Sequence, residues 1–153
     1  MDFTLDIIIA KNEMKKLDLN ETLIEWGDEI FSHNPPKYIS NSNLVFEQFK
    51  DLNYYNKLLK EELDKDKYIA FVLKGETLLD LEFLINKEKE KISNNELFQF
   101  LTQIIKLKEF FILLVREDEV IKKRYVVKEK EELAKVLCSN LKWSAPEDIL
   151  ISN

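Results

Sequence analysis

Tyr68–Asn86 and Phe110–Lys128 align residue for residue, without a gap. Each opens on a continuous apolar run, Tyr68–Leu73 in the first and Phe110–Val115 in the second, of the kind an interior strand needs. Lys74-Gly75 supplies a hairpin turn in the first segment. Glu117-Asp118-Glu119 takes that place in the second, as a solvated turn. Leu79, Leu81, Phe83 and Ile85 then alternate with Asp80 and Glu82. In Ile121–Val127 the matching places are held by Lys122, Arg124 and Tyr125. The spacing predicts two hairpins, with Asp80 and Glu82 forming cross-strand ion pairs with Lys122 and Arg124 if the strands are neighbours.

Each hairpin leads into a helical pattern. Ser93–Glu96 reads as a capping box, with Ile92 and Leu97 as its hydrophobic staple, and the helix that follows buries Leu97, Leu101, Ile104 and Ile105. Glu131–Leu141 sets Leu133, Val136, Leu137 and Leu141 on one face. A strand–strand–helix unit written twice confines the chain to the α+β class: a mainly antiparallel sheet of two hairpins, packed by helices on one face. Binary patterning makes any two such units look alike, so the architecture follows with or without an ancestral duplication.

The remainder fits around that frame. Phe3–Ala10 alternates Phe3, Leu5, Ile7 and Ile9 with polar residues, an N-terminal strand with one buried side that extends the sheet. Asn20 caps a helix starting at Glu21, with Leu23, Trp26, Ile30 and Phe31 as its apolar stripe, ended by Asn34-Pro35-Pro36. A second helical pattern spans Asn43 to Leu63, through Val45, Phe49, Leu52, Tyr55, Leu59 and Leu63, with a break near Asn53. Ile149–Ile151 reads as a short edge strand. The order is β-α-α-β-β-α-β-β-α with a final strand, three to four helices in all. The 153 residues suit one domain, 1–153, in which 1–66 is an acidic β-α-α portion and 67–153 holds the tandem units.

Charge divides along the same line. Residues 1–66 hold eight Lys against fourteen Asp and Glu, a balance of −6, whereas 86–142 hold thirteen Lys and Arg against ten acids, a balance of +3. Leu17–Pro36 carries Asp18, Glu21, Glu25, Asp28 and Glu29 with no Lys or Arg. Polyanion binding needs a concentrated positive surface, so nucleic acid is not an expected partner. No apolar run approaches the ~20 residues that span a bilayer, and no secretory signal is visible. The lone Cys138 cannot form an internal disulfide, which points to a reducing cytoplasm. The abundance of Lys, Asn, Ile and Glu suggests a bacterial or phage source.

Few chemistries have the residues they require. Gly27 and Gly75 are isolated, so no glycine-rich loop brings backbone amides to a phosphate. Structural zinc needs about four Cys or His ligands, and His33 and Cys138 are the only such residues. No cofactor and no metal site is expected. His33 suits helix termination better than general-base work, and Cys138 suits a packed thiol better than a nucleophile. Trp26 and Trp143 suit packing or a protein contact better than base stacking, which needs accompanying Lys or Arg.

Glu21, Glu25, Asp28 and Glu29 are the residues raised above that background. At helical spacing they repel one another by a few tenths of a kcal/mol per pair, with no lysine interleaved. The bland account is a solvated face. The sharper one is a docking surface for a protein partner with a basic surface, where complementary charge speeds and selects association. The expectation is a non-catalytic protein-binding protein, of which an immunity or antitoxin-type inhibitor of a basic toxin is the most concrete version. Two other readings are a metal-dependent enzyme built on Asp80 and Glu82, and a structural homodimer joined through the Ile149–Ile151 edge.

Overall fold

The computed structural model describes residues 4–22, 37–49, 51–74, 76–115, 120–143 and 148–153. Several sequence expectations lie outside them: most of the helix after Glu21, with Trp26, Gly27, His33 and Asn34-Pro35-Pro36; Phe3; Gly75; the Glu117-Asp118-Glu119 turn; and Ala145-Pro146.

The chain is α+β, built on one eight-stranded mixed sheet of order β2-β3-β4-β5-β1-β6-β8-β7. The strands are β1 (Thr4–Ala10), β2 (Asn20–Thr22), β3 (Lys37–Ile39), β4 (Val45–Phe49), β5 (Tyr68–Lys74), β6 (Phe110–Val115), β7 (Lys123–Val126) and β8 (Ile149–Ser152). Six of the seven pairings are antiparallel; β7 and β8 run parallel. The helices are α1 (Leu52–Leu59), α2 (Thr77–Lys87), α3 (Glu96–Ile104) and α4 (Lys130–Asn140), with 3₁₀ turns at Lys11–Lys16 and Lys89–Asn94.

The N-terminal strand sits at the centre of the sheet, between β5 and β6, and both its faces are buried. Leu5, Ile7 and Ile9 enter the larger core, shared with Phe71, Ile112, Leu114, Ile149 and Ile151 from the sheet and with α2, α3 and α4. Ile8 enters the second core with Ala70, Leu113 and Leu150, covered by Leu52, Tyr55 and Leu59 of α1. Because successive side chains on a strand point to opposite faces, helices cover both sides of the sheet rather than one.

Four expectations are corrected. Leu79–Ile85 is helix, not the second strand of a hairpin. Apolar residues at 78, 79, 81, 83, 84 and 85 satisfy both periods, and Leu, Glu and Asn there are not β-branched. In the aligned segment Ile121, Val126 and Val127 are β-branched, and a strand forms. Asp80 and Glu82 therefore do not face Lys122 and Arg124 across a sheet.

The Asn43–Leu63 pattern is strand β4 followed by α1, because Asp51 caps the helix, its Oδ1 accepting from the Asn53 amide at 3.0 Å. The cap of α3 is Asn95, whose Oδ1 accepts from the Phe98 amide at 3.0 Å, while Ser93 belongs to the preceding 3₁₀ turn. Finally, β8 is interior, hydrogen-bonded to β6 on one side and β7 on the other. The homodimer route through Ile149–Ile151 is closed on both sides.

Candidate functional site

Glu21 lies in strand β2, not at the start of a helix, and its register partner is Tyr38 on β3. Among the described residues β2 has a single neighbouring strand, so the Glu21 side chain stands exposed on an outer edge of the sheet. Burial, and then the Glu21 charge, push the Tyr38 phenol above its ordinary range. Nearby, Asp18 has a local duty: both its carboxylate oxygens accept from the Asn41 amide, at 3.2 and 3.1 Å. That bond ties the lead into β2 to the turn before β4, where Asn43 takes a φ of 65° that asparagine tolerates better than most residues. Asp18 also lines a polar depression of about 290 Å³ with Asn41, Ser42, Glu96, Gln99, Phe100 and Gln103. Glu25, Asp28 and Glu29 lie outside the described residues.

A second arrangement forms around Asp80 and Glu82. At 100° per residue, Leu79, Glu82, Phe83 and Asn86 fall on one stripe of α2, and Leu78, Leu81 and Ile85 on the stripe buried in the core. Asn86 joins α2 to the segment after α4. Its Nδ2 donates to the Glu82 carbonyl (2.7 Å) and the Leu141 carbonyl (2.9 Å), and its Oδ1 accepts from the Trp143 amide (3.0 Å). Trp143 is thereby set beside α2. Leu79, Asp80, Glu82, Phe83 and Trp143 line a recess of about 510 Å³.

The rim is apolar and half exposed, with Leu79 at 53%, Phe83 at 50% and Trp143 at 47%, yet Glu82 within it is only 6% exposed. Burial raises the Glu82 carboxyl above the usual carboxylate range, and a hydrogen bond from the Trp143 side chain works in the opposite direction. Lys87 holds its Nζ 5.4 Å from the centroid of the Trp143 ring. No sequence signal marked this recess, because its two parts are joined only by the fold.

The remaining sequence candidates separate. Among the described residues no group of three or more His, Cys, Asp and Glu side chains is placed to hold a metal ion. Cys138 is half-buried on α4 against the larger core. Burial pushes its thiol up, against the opposing charges of Lys89 and Lys142. Since the thiolate is the reactive form, Cys138 should react with a disulfide reagent at pH 8 at least about tenfold more slowly than free cysteine; a rate equal to free cysteine would refute the packed-thiol reading. Among the described residues no helix is long and apolar enough to cross a membrane. No protein-family model, no curated protein and no solved structure matches the chain.

Proposed function

We propose that this is a non-catalytic protein-binding protein that acts in the bacterial cytoplasm, docking a partner with a basic surface through Glu21, Glu25, Asp28 and Glu29. The observation that carries the reading is the position of Glu21. It stands exposed on the outermost strand at one end of the sheet, within Leu17–Pro36, a twenty-residue stretch that holds five acids and no Lys or Arg. Charges held at a sheet edge reach a partner without rearranging the core, and their field raises the encounter rate. The most specific form is an immunity or antitoxin-type inhibitor. Its carboxylates occupy a groove that a toxin uses for phosphates, by imitating their charge.

The metal-dependent enzyme is the second reading, and the shared recess of Asp80 and Glu82 is what favours it. Magnesium keeps several of its waters and is commonly held by one or two carboxylates, so Asp80 and Glu82 would have to supply the whole protein share of such a site.

Parallel capture from the source cell with the wild-type chain, Glu21→Lys/Glu25→Lys/Asp28→Lys/Glu29→Lys and Asp80→Asn separates the two. The binding reading expects a basic protein retained by wild type and by Asp80→Asn, and released by the fourfold reversal at unchanged circular dichroism. An acidic partner, equal retention by all three chains, or a turnover that only Asp80→Asn abolishes would overturn it.

A further inference from the structure

We infer that the recess between α2 and Trp143 receives an arginine side chain from the protein partner. Its guanidinium sits on the Glu82 carboxylate, and its stem lies between Leu79, Phe83 and the Trp143 ring. The inference rests on the proposed binding of a basic protein and adds a second point of attachment, away from the β2 edge.

Three observations carry it. First, the exposed large apolar side chains among the described residues are Phe49, Leu79, Phe83, Val120, Val126 and Trp143, and half of them converge on this one recess. Scattered exposed apolar residues need no explanation, whereas a cluster marks a contact site. Second, Glu82, a residue only 6% exposed, lines the same recess. A buried carboxylate is stabilised most by a cation that also donates hydrogen bonds, and the planar guanidinium can donate two at once. Third, the Trp143 ring holds the Lys87 ammonium 5.4 Å from its centroid, so the ring already takes part in a cation–π contact of the kind a guanidinium would make in its place. Arginine fits this combination better than lysine, because its flat head stacks on aromatic faces and sheds water more readily. An arginine set among aromatic side chains is also the common form of a binding hot spot.

The probe is acetyl-arginine-methylamide, titrated into the full-length ¹⁵N-labelled chain, with acetyl-citrulline-methylamide and acetyl-leucine-methylamide as uncharged controls. The expected result is saturable shifts of the Trp143 indole N–H and the Leu79 and Phe83 amides, with a Kd on the order of millimolar for a single side chain. The controls give none. Glu82→Gln keeps the shape and removes the charge, and is expected to weaken the probe at least tenfold. Phe83→Ala, at an exposed position, does so severalfold without loss of fold. Lys87→Gln tightens binding by removing a competing ammonium. The fourfold reversal at Glu21–Glu29 leaves the probe unaffected.

Equal response to the leucine control, shifts confined to the β2 edge, or unchanged affinity in Glu82→Gln would overturn the inference and leave the proposed function standing. Recess shifts that grow with protein concentration in the absence of probe would overturn it in favour of a second copy of the chain. If the purified partner binds Glu82→Gln and Phe83→Ala as tightly as wild type, the partner does not use the recess, and the inference fails on that ground.

Discussion

Tyr55→Phe lowers the free energy of unfolding by about 1.5–3 kcal/mol at neutral pH, the range for a hydrogen bond to a charged group, as read by urea denaturation. Asp6 lies on the central strand with 5% of its surface exposed. The Tyr55 hydroxyl on α1 donates to its Oδ2 at 2.7 Å, and Oδ1 has no hydrogen-bond partner among the described residues. Burial raises the Asp6 carboxyl; the Tyr55 hydrogen bond, the Thr4 hydroxyl and the Lys74 charge pull less strongly the other way. The Thr4 hydroxyl stabilises the charge from nearby, although its own bond, at 3.4 Å, goes to the Val115 carbonyl.

The sign of the pH dependence follows from that raised value. Below the unfolded value near 3.8, Asp6 is protonated in both states and its burial carries no ionic penalty. As pH rises from there through the folded value, the penalty for ionising it inside the fold accumulates, and above the folded value it is complete. Asp6→Asn keeps an acceptor for Tyr55 and removes the charge. It is expected to raise the urea midpoint at pH 7, to leave it little changed near pH 3, and to flatten the profile between. In that background Tyr55→Phe should cost only about 0.5–1.5 kcal/mol, the neutral-bond range. Equal costs in the two backgrounds would mean that the carboxylate and the phenol are not coupled.

The second large effect is on binding. If the acidic stretch docks a basic partner as proposed, reversing Glu21, Glu25, Asp28 and Glu29 together turns each attraction it makes into a repulsion. Close interfacial charge pairs couple by about 1.5–7 kcal/mol, and each 1.4 kcal/mol is about tenfold in affinity. Even if only two of the four residues touch the partner, Kd should weaken by about a thousandfold or more. Calorimetric titration of the purified partner measures this directly. A change under about fivefold would mean that the acidic stretch only keeps the surface solvated.

What the sequence revealed depended on how far apart the interacting residues lie. The runs at Tyr68–Leu73 and Phe110–Val115, the stripe from Leu97 to Ile105 and the face of Glu131–Leu141 carry one period each, and each became the expected element. Thr77–Lys87 carries two periods at once, and only its packing against the sheet selects the helical one. The Ile149–Ile151 triplet announced a strand. Its neighbours are set by contacts with β6 and β7, some 25 to 40 residues back in the chain. The same limit hid the recess: Asn86 and Trp143 are 57 positions apart, and Glu82 read as one partner of a strand ion pair until the helix placed it beside an indole. The acidic character of 17–36 needed no fold to be seen, although Asn20–Thr22 forms a strand where a helix was expected to start.

Electrostatic docking has its most direct reading in the association rate of the purified partner, followed by stopped-flow Trp fluorescence at increasing ionic strength. If the carboxylates from Glu21 to Glu29 steer the encounter, the rate constant falls at least tenfold between about 50 and 500 mM NaCl, and the dissociation rate changes little. An association rate that stays constant across that range would contradict the account.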